Sequence, residues 1–152
     1  MVAAGWLFWN QFRSQAHIGN DETRTFAYIT MIGVPVYRVY LDEEQTFRLV
    51  DEDEASIVLK ALLLEVMPEE LAEEFMKEVV QDEALAFLSV FLSPEYVELL
   101  EGVYFEVRDG GLAFIKSSCP DQVCVEMGFQ QRVGGFAACL PNQLHFFVEV
   151  ND

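Results

Sequence analysis

The sequence predicts a mainly β domain that carries an acidic α-helical insertion. Three observations predict it. Val, Ile, Tyr, Phe and Thr dominate residues 25–50, helical periodicity replaces that pattern from Asp51, and strand patterning returns at Gly102. The boundaries follow: an apolar segment over residues 1–24, then a β domain over 25–152, interrupted by helices at about 51–101. A chain of 152 residues that is 52% hydrophobic holds enough material for one domain with a substantial core, and disorder is excluded.

The first twelve residues, M-V-A-A-G-W-L-F-W-N-Q-F, are apolar and aromatic up to Trp9. A spanning helix needs about 20 apolar residues, so this run cannot cross a bilayer alone. It lacks the basic start of a secretory signal, although Ser14-Gln15-Ala16 loosely suits a cleavage site. Three readings stand at this point: the end of a membrane helix, an interfacial anchor rich in Trp and Phe, and an ordinary buried segment.

The strands of T-F-A-Y-I-T-M-I-G-V-P-V-Y-R-V-Y-L-D-E-E-Q-T-F-R-L-V are punctuated by Gly33 and by Asp42-Glu43-Glu44. In the next block, Leu71, Phe75 and Val79 recur at helical spacing, as do Leu85, Leu88 and Leu92. Pro68 and Pro94 suit a first helical position, and Ser93 is a good N-cap. This block enters and leaves between strands, so on the sequence it is a separable insertion. After it, V-Y-F-E-V-R and G-L-A-F-I-K flank Asp109-Gly110, a hairpin turn whose two central residues accept positive φ. The segment L-H-F-F-V-E-V closes the chain as a strand.

Charge is uneven. The net charge is −17, and residues 51–101 contribute −13 of it, with 15 acidic side chains against Lys60 and Lys77. Acidic side chains crowd the first helical turns, where the helix dipole favours them, so a solvated helix face accounts for most of this charge. The run Asp51-Glu52-Asp53-Glu54 lacks the glycine and spaced oxygens of a calcium loop. No basic patch exists to replace phosphate counterions, which excludes nucleic acid as a partner. Elbow, phosphate-loop and dinucleotide motifs are absent, and no catalytic set can be defended.

All three cysteines fall in S-S-C-P-D-Q-V-C-V-E-M-G-F-Q-Q-R-V-G-G-F-A-A-C-L-P-N, residues 117–142. The elements C-P-D-Q-V-C (Cys119, Pro120, Cys124), Gly128 and C-L-P-N (Cys139, Leu140, Pro141, Asn142) resemble the signature of the NusG domain II family. The hairpin before them and the strands Y-I-T-M-I-G-V-P-V-Y-R-V-Y-L fit the same pattern, over roughly 25–50 and 102–150. The acidic helical block departs from it, since the family has a short connection there. The resemblance implies a small β-barrel or sandwich, usually outside the cytoplasmic membrane and tethered by one N-terminal helix. It favours the anchor reading of residues 1–24, and the family name does not imply a role in transcription.

The cysteine spacing is C-x4-C-x14-C, not the paired knuckles of structural zinc. A four-ligand site would need Cys119, Cys124 and Cys139 with a histidine, and only His17 and His145 exist. His145 lies in an aromatic strand and reads as a packed or rim residue, so no metal and no cofactor is expected. In an oxidising compartment, the chemistry favours one disulfide plus one free thiol, with three pairings open. Thiol–disulfide exchange is the sharper alternative, with Arg132 the one basic residue in the motif. In either case the three thiols are expected near one another.

The functional expectation is a non-enzymatic, extracytoplasmic, membrane-associated accessory or protein-interaction module, with partner contact through the helical block. The alternative is a redox or metal-handling protein acting through the cysteines. A cytoplasmic regulator without a tether is the third reading.

Overall fold

The structure, a computed structural model, describes residues 24–79 and 83–151. Apart from Arg24, the expected apolar segment over 1–24 lies outside the described residues, as does His17. No helix among the described residues is long and apolar enough to cross a membrane.

Seven strands and five helices follow one another along the described chain. Strands β1 (Arg24–Met31), β2 (Val34–Tyr40) and β3 (Gln45–Phe47) come first. Helices α1 (Glu52–Leu63), α2 (Glu69–Glu78), α3 (Ala84–Phe91) and α4 (Pro94–Glu101) follow. The hairpin β4 (Tyr104–Arg108) and β5 (Gly111–Lys116), the short helix α5 (Val123–Glu126), β6 (Phe136–Cys139) and β7 (Leu144–Asn151) complete the fold. Two antiparallel sheets result, ordered β2-β1-β7-β6 and β3-β4-β5.

The sheets meet through aromatic rings that alternate inward along their strands. Phe105 of β4 lies 5.3 Å from Phe47 and 4.8 Å from Phe114, which in turn lies 5.7 Å from Phe146 of β7. Helix and strand contents are about equal, and the two sheets do not close into a barrel, which corrects the expectation of a mainly β fold. The physical reason is that four helices of 8–12 residues stand between β3 and β4, while β3 has 3 residues and β6 has 4.

The helices complete that core. Ala55, Val58, Leu59, Leu62 and Leu63 of α1 are buried against β2 and α3. Leu88 of α3 and Val97 and Leu100 of α4 join the same hydrophobic cluster as Ile29, Phe105 and Phe146. The block is an insertion in sequence, and its apolar faces are part of one shared core.

Local signals act as the sequence suggests at several places. Ser93 caps α4 by accepting a hydrogen bond from the Tyr96 amide at 3.1 Å, with Pro94 at the first helical position. Pro68, by contrast, takes the cap position of α2 rather than its first turn. The 3.6-residue stripe on α2 is rotated from the expected one. Ala72 is buried while Leu71 is 58% exposed, and Phe75 and Val79 of the expected stripe pack against the core. Asp109 and Gly110, at φ 54° and 81°, form the expected hairpin turn.

The β1–β2 turn is less well matched. Ile32 sits at φ 50°, where a β-branched side chain crowds the backbone, and it is 47% exposed. Its amide donates to the Gln143 carbonyl at 3.0 Å, a bond that any non-proline residue keeps. Ile32→Asn is therefore expected to raise the unfolding free energy by about 1 kcal/mol, since asparagine tolerates this conformation. Urea unfolding of the two proteins checks it, and an unchanged or lower midpoint counts against the strain argument.

Candidate functional site

Three elements deliver the cysteines to one place. Cys119 follows β5 in a bend over residues 118–121 that includes the exposed Pro120. Cys124 sits on α5, and Cys139 ends β6. The inner face of β6 carries Cys139 opposite Leu144 of β7, so this thiol points into the core. Helix α5 is entered through Gln122 at φ 58°, held by its own amide, which donates to the Ser117 carbonyl at 2.8 Å and to the Cys119 carbonyl. It ends at Gly128, whose φ of 73° is a left-handed turn that a side chain would strain.

The three sulfurs lie within 4.8 Å of one another, and all three residues are buried. Cys119 Sγ is 3.7 Å from Cys124 Sγ. That is a contact rather than a bond of about 2.05 Å, so the expected disulfide is not formed and the thiols are free. No cysteine is more than 5% exposed. Exchange with a partner's disulfide needs an accessible thiolate, so the buried cluster gives the exchange reading no support.

Polar groups surround the sulfurs in a defined order. Ser117 Oγ accepts from the Cys119 amide at 3.2 Å and from Asn142 Nδ2 at 3.4 Å. It lies 3.6 Å from Cys139 Sγ. Asn142 is 2% exposed; its Nδ2 also donates to Ser118 Oγ at 3.2 Å, and its carbonyl accepts from Tyr96 Oη at 2.6 Å. This explains the C-L-P-N element: Cys139 ends the strand, the exposed Leu140 and Pro141 make the turn, and Asn142 returns to clamp Ser117.

The titration behaviour divides the cluster. Burial pushes the Cys124 thiol up to about 12. Burial opposes ionisation of Cys119 too, but hydrogen bonding with Ser117 and Cys139 outweighs it and leaves this thiol below the ordinary range. Tyr96 is pushed up to about 12, first by burial and then by its nearness to Cys139.

His145 is not part of this centre. It pairs with Ala138, one residue before Cys139, and so projects from the opposite face of the sheet, 5.9 Å from the Phe136 ring and 5.6 Å from Phe147. Arg132 is exposed. Conversely, sequence reasoning missed Ser117, Gln122 and Tyr96 as members of the site. Tyr96 lies in the helical block, 46 residues from its partner Asn142, a link that only the fold supplies.

A mixed α+β domain of two antiparallel sheets, built around a buried three-thiol cluster, is the class of protein these features define. Residues 93–152 match the family described as NusG domain II. The match starts at Ser93, so it takes in α4 and Tyr96 together with every cysteine. Similar solved structures include a DUF1312 family protein from Ruminococcus gnavus ATCC 29149, at 18% identity and a TM-score of 0.47, over 82% of this chain and 97% of that one. The Lin0431 protein from Listeria innocua is similar in its crystal structure, at 15% identity and a TM-score of 0.44, over 83% of this chain and 95% of that one. Its solution structure gives 15% identity and a TM-score of 0.45, over 89% and 81%. None of the curated proteins matches the chain.

Proposed function

We propose that the protein is a non-enzymatic, extracytoplasmic accessory module of NusG domain II type, tethered through its N-terminal segment and engaging a protein partner through the helical block. The observation that supports partner contact is an apolar groove between α1 and α2, lined by Ser56, Ile57, Lys60, Ala61, Leu64 and Met76. Ile57 is 50% and Leu64 43% exposed. Single exposed apolar residues are ordinary, but a concave apolar strip between two helices resembles the grooves that receive amphipathic helices. The block around it carries a net −13, so the fitting partner is a helix with one apolar face and Lys or Arg along its flanks.

A basic amphipathic helical peptide, titrated by fluorescence anisotropy, is expected to bind more weakly as salt rises. Ile57→Asp combined with Leu64→Asp is expected to weaken it by about tenfold or more, while the melting temperature stays close to that of the parent. Binding that is absent, or indifferent to both substitutions, would remove the groove as the contact site. Added protease should cleave the chain on intact spheroplasts if it lies outside the membrane; complete protection there would return the cytoplasmic alternative.

A further inference from the structure

We infer that Cys119, Cys124 and Cys139 form a binding site for one thiophilic d10 cation of the Cu(I) or Zn(II) class. The claim goes beyond the partner-binding reading and does not depend on it. Its ground is the convergence of three buried sulfurs. An ion about 2.3 Å from each of three sulfurs sets them about 4 Å apart. Here all three lie within 4.8 Å and one pair is at 3.7 Å, so tenths of an ångström separate this arrangement from a closed ligand set.

The surroundings are arranged for sulfur as an acceptor. Ser117 Oγ receives hydrogen bonds from the Cys119 amide and from Asn142 Nδ2, which occupy its two lone pairs. Its own proton is left for the sulfurs, with Cys139 Sγ 3.6 Å away. Asn142 is in turn fixed by Ser118 and by Tyr96. A donor held in place by a second buried polar residue is the outer shell that orients and stabilises a metal-bound thiolate. Thiols buried only as small hydrophobes have no use for it.

Ligand number narrows the ion. Among the described residues, the cluster consists of the three cysteines alone, with His145 on the far face of the sheet. Three sulfurs suit Cu(I); Zn(II) would add a fourth ligand, for which water is the ordinary donor. Binding is not a redox step. Each ligating thiol gives its proton to solvent and keeps its electron pair for the metal.

The reduced, metal-stripped full chain would be titrated anaerobically with Cu(I) against a chromogenic chelator, and separately with Zn(II). One ion per chain is expected, with three sulfurs at about 2.3 Å in X-ray absorption and a raised melting temperature. Tighter retention of Cu(I) assigns three-coordinate binding, and retention of Zn(II) assigns a fourth ligand. Cys124→Ser and Cys139→Ser should each lose stoichiometric binding. Ser117→Ala, which keeps every sulfur, should still bind one ion but about 10–100-fold more weakly, a loss that a purely structural serine would not cause. The site is overturned if the folded parent retains neither ion at one per chain, or if the metal it retains has an oxygen–nitrogen shell. Because both readouts use the parent, a variant that fails to fold leaves the test intact.

Discussion

Replacing residues 54–101 with a short Gly-Ser linker is expected to abolish cooperative unfolding. The segment contributes Ala55, Val58, Leu59, Leu62 and Leu63 from α1, Leu88 from α3, and Val97 and Leu100 from α4 to the core that the sheets share. Fully burying one large apolar side chain stabilises by about 1.5–3 kcal/mol, and a domain's whole stability is only about 5–15 kcal/mol. Losing seven large aliphatic side chains at once removes about 10–21 kcal/mol, as much as that margin or more. The deletion would also expose the inner residues of β2 that α1 covers and remove Tyr96 from Asn142. Circular dichroism and urea titration read the outcome. A sigmoidal transition in the shortened chain, with dispersed amide resonances, would show that the sheets fold alone and that the helices are only attached.

That expectation reverses what the sequence suggests for the same segment, and the reason is physical. Periodicity reports which face of a helix is apolar, not what covers that face. Leu88 lies on a predicted stripe and is buried, but Leu71 lies on another and is 58% exposed. Tertiary packing made the choice, burying Ala72 in the core cluster instead. Signals confined to a few residues were legible: Asp109-Gly110 as a hairpin turn, Ser93-Pro94 as a helix start, and the strand character of 25–50. The nearness of the three cysteines was legible from their motif, and the role of Asn142 was not, because its partners Tyr96 and Ser117 are 46 and 25 residues away. The place of His145 was available in principle. Leu144, Phe146 and Val148 are the buried set of β7, and strict alternation puts His145 with Phe147 on the other face.

Phe114→Ala is expected to lower the unfolding free energy by about 3–5 kcal/mol, the largest effect of any single substitution considered. Phe114 is 1% exposed and is one of the rings through which the sheets touch, with Phe105 at 4.8 Å and Phe146 at 5.7 Å. The two flanking rings belong to different sheets, so neither can fill the space without moving its strand, and most of the cavity should persist. The same strand, β5, runs directly into Ser117 and Cys119. Loosening it lowers the cost of local opening around the buried thiols, so their labelling by an aromatic disulfide reagent should accelerate together with the loss of stability. Urea unfolding at one pH and labelling kinetics at the same pH measure the two effects on one preparation. A loss below about 1 kcal/mol would mean that the sheets are held together by the helices rather than by the aromatic contact. Full destabilisation with unchanged labelling would place the cysteine cluster in a part of the fold that opens independently of the strand leading into it.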